Sequence, residues 1–440
     1  MVFKVGLLGL GTVGTGTAKI LLDATQRHPL LQTLEIHRVG VRSLDKPRAV
    51  DLPETCLTND LEAIETDPDI DIEVEVMGGL EPARSLILEA IEDGKHVVTA
   101  NKAVISRYGN EIAEAAKKAG VYVLYEAAVG GGIPIIQPLQ QALGVNRLET
   151  VTGIINGTTN YILTRMQSEG GDFEPILADA QALGYAEADP TADVDGLDAA
   201  DKIAILASIA FGGKIRREDV FTEGIRHVSA ADVDYAETLG FVIKLLAIAK
   251  RNPPNSDTND TNDTIQLRVH PTLVPLDHPL ANVNGVNNAV LVEGDPIGQV
   301  MLYGPGAGEG PTASAIVSDI MTIAATLHME SPAEEKLPNP LLSNAYSDYK
   351  TISPMEQLES RFYLRLMVKD QPGVIGHLGE IFGNHNLSLE SIVQIGLQEN
   401  LAGLVIVTHE VKEGEFQKAI SALKESADVD SIASVLRVLG

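Results

Sequence analysis

Along the first third of the chain, short apolar runs alternate with amphipathic stretches. That alternation predicts a doubly wound parallel sheet built from strand–helix–strand units. VFKVGLL (2–8) reads as a strand and 13–24 as a helix; LEIHRVGVR (34–42), IDIEVEVM (70–77), KHVVTA (95–100) and VYVLYEAA (121–128) read as further strands. Helices fill 82–93 and 107–119. From about 129 to 330 helices are expected to dominate, with KIAILASIAFG (202–212) and FVIKLLAIAKR (241–251) strongly apolar, and strand-like pieces at 265–274 and 288–294. PPNSDTNDTNDT (253–264) reads as a polar loop, and the Pro- and Ser-rich stretch 337–356 as a linker. Beyond it, strands at 361–368, 389–396, 402–410 and 429–438, with helices at 374–384 and 413–425, give βαββαβ, the ferredoxin-like arrangement.

Composition narrows the function classes. Lys+Arg 33 against Asp+Glu 61 leaves a net charge of −28, which argues against nucleic acid or a membrane surface as a global partner. The single Cys56 excludes an intrachain disulfide and a cysteine-cluster metal site, and suits a reducing compartment. No stretch reaches the ~18 uninterrupted apolar residues of a spanning helix. The apolar start is broken by Gly6, Gly9, Gly11, Gly14 and Gly16, so it reads as a first strand and helix and not as a signal peptide. A cytoplasmic protein is expected.

Gly9-Leu10-Gly11-Thr12-Val13-Gly14 matches G-x-G-x-x-G between a strand and a helix. The first glycine permits the tight turn, the second lets backbone approach a pyrophosphate, and the third lets helix pack on strand. The pyrophosphate then meets N–H groups at the helix start. The fold expected for this part is a Rossmann domain binding NAD(P). After the second strand the sequence runs VGVRSLDKPR, so Arg42, Lys46 and Arg48 stand where a 2′-phosphate would be read, a local exception in an acidic chain. NADP(H) is expected to be preferred, with NAD(H) possible because Asp45 is nearby; a solvated basic loop is the alternative.

Residues 180–202 read AQALGYAEADPTADVDGLDAADK and lead into an apolar helix. Asp198 and Lys202 are four apart and share one helix face. An exposed ion pair is the plain reading, but this lysine opens a helix too apolar to face solvent. The segment resembles the signature of the homoserine dehydrogenase family, with Gly184, Tyr185, Asp189-Pro190, Asp193, Gly196, Asp198 and Lys202 in place. The resemblance extends through TANK (99–102), YEAAVGGGIPII (125–136), GIINGTTNYIL (153–163) and YGPGAGEGPTASA (303–315). KDQPGVIG (369–376) is similar to the ligand-binding turn of an ACT domain. With no kinase region ahead of residue 1, the likeness is to the monofunctional bacterial form.

The resemblance implies reversible hydride transfer between L-homoserine and L-aspartate 4-semialdehyde, on the route to threonine, methionine and isoleucine. Removing or returning the alcohol proton is general acid/base work, assigned to Lys202, with Lys102 as the second active-site lysine. Glu187 and Asp198 match the carboxylates that receive the substrate ammonium. Asp193 either orients Lys202 or binds substrate. Thr158 and Thr159 are carried over as contacts to the substrate carboxylate, and Gly184 and Gly306 as places where backbone nears the nicotinamide. By the same likeness, backbone carbonyls of Glu126, Val129, Gly131 and Ile133 hold a monovalent cation, typically sodium; alternatively the Glu126 side chain caps the Gly-rich turn. L-Threonine is implied as an inhibitor at the ACT domain, and a homodimer or homotetramer as the assembly. The expected divisions are a Rossmann domain (1–130), an α+β substrate and oligomerisation domain (131–336), a linker (337–358) and the ACT domain (359–440). A different amino-acid dehydrogenase, such as one acting on aspartate, and a non-catalytic sensor of NADPH are the alternatives; the 180–202 signature speaks against the first and the intact Lys102, Glu187, Asp198 and Lys202 against the second.

Overall fold

A computed structural model describes residues 2–252, 263–329, 349–398 and 401–439. The chain divides into two compact units, each assembled from three stretches. Unit 1 comprises Met1–Val151, Asp201–Glu218 and Asn288–Lys350; unit 2 comprises Thr152–Ala200, Asp219–Asn287 and Thr351–Gly440.

Unit 1 is built on a parallel sheet of β1 (Phe3–Leu8), β2 (Leu34–Gly40), β3 (Leu57–Thr58), β4 (Ile72–Glu75), β5 (His96–Thr99) and β6 (Val123–Leu124), in the order β3-β2-β1-β4-β5-β6. Helices α1 (Thr12–Leu22), α2 (Glu62–Glu65), α3 (Ala83–Glu92) and α4 (Lys102–Ala119) connect the strands. The strand order reverses between β1 and β4, and ligands of doubly wound sheets bind beyond the strand carboxyl ends at such a point. Val5, Leu7, Val39, Ile72, Val74 and Val98 pack with Ile316, Ile320 and Ile323 of the helix Glu309–Met329 in one core. Strand β6 is shorter than the run 121–128 suggests. The N–H of Glu126 goes to Asp319 Oδ2 (2.8 Å) instead of a neighbouring strand, and Glu126–Ala128 closes as a 3₁₀ turn. Two further strands, Asn287–Asp295 and Gly298–Pro305, lie side by side.

In unit 2 the expected helix at 241–251 is a strand. Phe241–Asn252 pairs antiparallel with Thr264–Pro275, from Phe241↔Pro275 to Asn252↔Thr264. Every residue from 242 to 249 is buried. With both faces covered the polar alternation of a half-exposed strand is lost, and an unbroken apolar run has no period that separates strand from buried helix. This region therefore holds more strand than its sequence suggests.

The C-terminal portion of unit 2 has the predicted βαββαβ order: Glu359–Lys369, the helix Val374–Asn384, Leu389–Gln398, Leu401–Thr408, the helix Glu413–Glu425 and Val429–Val438. Its strands lie fourth-first-third-second and antiparallel. Phe362 and Phe416 stack at its centre, ring centroids 3.7 Å apart. Its last strand also pairs parallel with Thr264–Pro275, through Thr272↔Arg437 and Leu273↔Val438, so one sheet runs across unit 2. Most of the polar loop (253–262) and the first part of the expected linker (337–348) lie outside the described residues; beyond these, Thr351–Ile352 is a strand paired with Thr264–Ile265. No helix among the described residues is long and apolar enough to cross a membrane.

Candidate active site

In unit 1, β1 ends at the glycine turn. Gly9 has φ +113°, and a Cβ at Gly14 would sit 2.1 Å from Gly9 O, so both positions exclude side chains. A Cβ at Gly11 would meet nothing within 4 Å, leaving that side of the turn open. Gly11 is the N-cap of α1 and offers no side-chain cap, and the first turn, starting Thr12-Val13, has no acidic residue. These uncapped N–H groups with the positive end of the helix dipole fit a dinucleotide pyrophosphate.

The basic loop after β2 divides its labour. The Arg48 guanidinium donates to the carbonyls of Ser43 (2.6 Å), Leu44 (2.8 Å) and Lys46 (2.9 Å), so it shapes the loop. Arg42 and Lys46 are exposed at its rim.

Lys102 begins α4, directly after its N-cap. Asn101 Oδ1 accepts from Val104 N–H (3.2 Å), and Asn101 Nδ2 donates to Gly79 O (2.7 Å). Glu75, fully buried at the end of β4, accepts from Thr99 Oγ1 (2.7 Å) and from the N–H groups of Met77 (2.8 Å) and Gly78 (3.2 Å). The strand ends beside Lys102 are thus fixed by a buried carboxylate that the sequence analysis did not single out; its signal was an acidic residue within an apolar strand.

Lys202 is half-buried on the helix Leu197–Phe211. The adjacent Asp201 accepts from Ser106 Oγ (2.9 Å) and Arg107 (3.1 Å), both on α4. The turn carrying Lys202 is therefore tied to the helix that starts at Lys102. Spacing alone gave no sign of Asp201's partners.

The glycine-rich loop after Glu126 packs backbone to backbone against residues 305–307. Gly132 N–H donates to Pro305 O (3.1 Å), and a Cβ at Gly131 would lie 2.4 Å from Gly306 O. Among Gly304, Gly306 and Gly308, Gly306 is the most crowded: a Cβ there would be 1.8 Å from Asn288 Oδ1. The Glu126 carboxylate accepts from the N–H groups of Ile135 (2.6 Å), Ile136 (2.7 Å) and Gln137 (2.7 Å), so the side chain caps the helix Ile136–Gln140. Its backbone carbonyl is a separate group and accepts from Val129 N–H (3.5 Å). Among the described residues, the carbonyls of Val129, Gly131 and Ile133 accept no backbone N–H, as a carbonyl-lined site for a hard cation requires. Burial pushes the nearby Asp319 carboxyl up to about 8, with the Glu126 charge adding to it.

Unit 2 holds a carboxylate cluster. Asn156 Nδ2 donates to Asp193 Oδ1 (2.7 Å) and to Asp198 Oδ2 (2.9 Å). Its Oδ1 accepts from Thr159 N–H (2.9 Å) as N-cap of the helix Gly157–Glu169. One amide thus starts a helix and holds two acidic side chains together. Asp198 is 7 % exposed; charge-assisted bonds of this kind are the strong ones. Thr158 Oγ1 donates to Tyr185 O (2.6 Å) and Thr159 Oγ1 to Asn156 Oδ1 (2.9 Å), so both hydroxyl hydrogens hold the loops. Gly184 and Tyr185 close the turn after the helix Phe173–Ala182, and Glu187 is exposed just beyond. Asn156 was inside the quoted GIINGTTNYIL run, yet only the fold shows what it joins.

Three family models match: "Homoserine dehydrogenase, NAD binding domain" over residues 9–126, "Homoserine dehydrogenase" over 134–321 and "ACT domain" over 362–428. The chain is 62% identical to a homoserine dehydrogenase of Synechocystis, covering 100% of each chain, and 44% identical to one of Pseudomonas aeruginosa, covering 99% of this chain and 98% of that one. Among solved structures, a homoserine dehydrogenase from Thiobacillus denitrificans superposes with TM-score 0.90 at 42% identity, covering 100% of this chain and 98% of the other. A hyperthermophilic archaeal homoserine dehydrogenase in complex with NADPH gives TM-score 0.59 at 27% identity, over 76% of this chain and 100% of that one. With NAD-binding, catalytic and ACT portions all present, the chain belongs to the homoserine dehydrogenase family, oxidoreductases that act on a CH–OH group and interconvert L-homoserine and L-aspartate 4-semialdehyde.

Proposed function

We propose that this enzyme works with NADP(H) in preference to NAD(H) in threonine, methionine and isoleucine biosynthesis, with Lys202 as general acid/base and Asp198 and Glu187 as acceptors for the substrate ammonium. The observation that carries the substrate assignment is the Asn156 amide held between Asp193 and Asp198. It orients two carboxylates, one of which, Asp198, is buried on the helix that also bears Lys202.

Bound at the Gly9–Gly14 turn, the nicotinamide cofactor supplies or takes the hydride. This chain's residues do the rest. In the reductive direction Lys202 gives a proton to the aldehyde oxygen as hydride reaches the carbon; in the oxidative direction it removes the hydroxyl proton. Lys102, seated at the start of α4 by Asn101, is the second cation for the polarised oxygen and the cofactor. Asp198 and Glu187 accept hydrogen bonds from the ammonium, and Asp193 orients Asp198 through Asn156. Thr158 keeps the Gly184–Tyr185 turn in place, and Gly184 and Gly306 let backbone approach the nicotinamide. Arg42 would receive the 2′-phosphate of NADP(H). The carbonyls of Glu126, Val129, Gly131 and Ile133 would hold a monovalent cation, sodium in the family, which would steady the loop that packs on Gly306. The ACT portion takes L-threonine as feedback inhibitor, and the enzyme assembles as a homodimer or homotetramer.

The direct test is NADPH oxidation by the purified protein with L-aspartate 4-semialdehyde, with and without L-threonine. Turnover that threonine suppresses supports both parts. Turnover without suppression removes threonine as the effector, and turnover favouring NADH removes the cofactor preference.

A further inference from the structure

The carboxylate cluster of unit 2 is braced from behind by the chain segment 221–232, which touches the cluster's own turn on one side and the C-terminal βαββαβ portion on the other. On the first side, Ile225 N–H donates to Val194 O (2.8 Å), and Arg226 Nε donates to Asp195 Oδ1 (2.6 Å). A Cβ at Gly224 would stand 2.2 Å from Val194 O and 2.5 Å from Asp195 Cα, so only bare backbone fits there. Val194 and Asp195 lie in the turn between Asp193 and Asp198.

On the second side, Glu223 Oε2 accepts from an Arg437 terminal nitrogen at 2.8 Å. Arg437, in the last strand, is 8 % exposed, and Glu413 takes its other two nitrogens at 2.9 Å each. Its guanidinium also lies 5.1 Å from the Phe221 ring centroid. A planar guanidinium with all three nitrogens engaged has a single orientation. Further along the segment, Asp232 and Ser229 accept from Arg365 (2.9 and 3.1 Å), on the strand Glu359–Lys369.

We infer that Arg437 and Glu223 are positioning residues for the substrate: their ion pair seats Gly224 on the Val194–Asp195 turn and so sets the Asp193–Asn156–Asp198 cluster. The C-terminal portion thereby contributes to homoserine affinity in the absence of any effector. This rests on the reading of Asp193 and Asp198 as substrate-side carboxylates.

The test uses the full-length enzyme carrying Glu223→Gln, Arg437→Lys, both together, and Asp198→Asn. Glu223 is partly exposed, and the amide keeps its shape while removing the charge. Glu223→Gln is expected to raise the KM for homoserine about 3- to 30-fold, with the KM for NADP and the melting temperature unchanged. The double variant should show less than the combined single effects, the non-additivity that marks a shared interaction. A homoserine KM within twofold of wild type in Glu223→Gln, while Asp198→Asn raises it, overturns the inference alone. A parallel rise of both KM values with a lower melting temperature also overturns it, since that marks a general structural role. If Asp198→Asn leaves the homoserine KM unchanged, the substrate reading fails and this inference falls with it.

Discussion

Replacing Asn156 separates stability from substrate handling, because one side chain does two jobs with opposite ends. Its Oδ1 caps the helix Gly157–Glu169, and its Nδ2 bridges Asp193 and Asp198. Asn156→Ala loses both. The missing N-cap costs about 0.5–2 kcal/mol. Each bond to a carboxylate is a charged hydrogen bond, worth about 1.5–3 kcal/mol. If one such bond's worth of orientation is lost from substrate binding and turnover together, kcat/KM for homoserine falls about 10- to 150-fold. Asn156→Asp keeps the cap acceptor but sets a third carboxylate against two others. It should melt above Asn156→Ala if the cap outweighs the added repulsion, yet be the less active variant. The assay is initial-rate kinetics with homoserine varied at saturating NADP, alongside NADPH binding by fluorescence, which both variants retain. A kcat/KM within twofold of wild type for both would refute the role of the bridge.

Three other outcomes follow from the same geometry. Lys202→Ala should lower kcat by about 10²–10⁴-fold, the usual general acid/base contribution, with NADPH binding intact; near-normal turnover in single-turnover kinetics would remove it from the proton step. Arg42→Ala should raise the KM for NADPH about tenfold or more, the worth of one charged hydrogen bond, and leave NADH little changed, and equal effects in paired kinetics would end the 2′-phosphate assignment. Glu65 and Glu73, 3 % and 0 % exposed in unit 1, are both pushed upward by burial, Glu65 to about 7, with mutual repulsion adding at Glu73. The folded state then keeps protons that the unfolded chain releases, so stability falls as pH rises from the ordinary carboxylate range to about 7. Glu73→Gln should flatten that fall in melting curves between pH 5.5 and 7.5; an unchanged slope would show the pair is not its source.

Much of this chemistry was legible in the linear sequence because its elements are local. The glycine turn, its flanking strand and helix, and the Asp198–Lys202 spacing all lie within a few residues of one another, where backbone geometry alone sets what can happen. The βαββαβ order at the C-terminus was readable because its strands and helices follow one another closely along the chain, and Glu359–Lys369 keeps an alternation of buried and more exposed positions over residues 364–369. Phe241–Asn252 was misread because burial on both faces removes that alternation.

By itself, then, the sequence determined the glycine turn of the NAD-binding portion, the family the chain belongs to, and the class of each end of the chain. Only the tertiary structure decided which polar groups meet. Asn156 reaches Asp193 and Asp198, Asp201 reaches Ser106 and Arg107, Glu126 caps Ile135–Gln137, and Arg437 reaches Glu223. Most of these partners are tens to hundreds of residues apart. A hydrogen bond acts only over about 3 Å, so such pairs exist only once the apolar core has brought their strands and helices together.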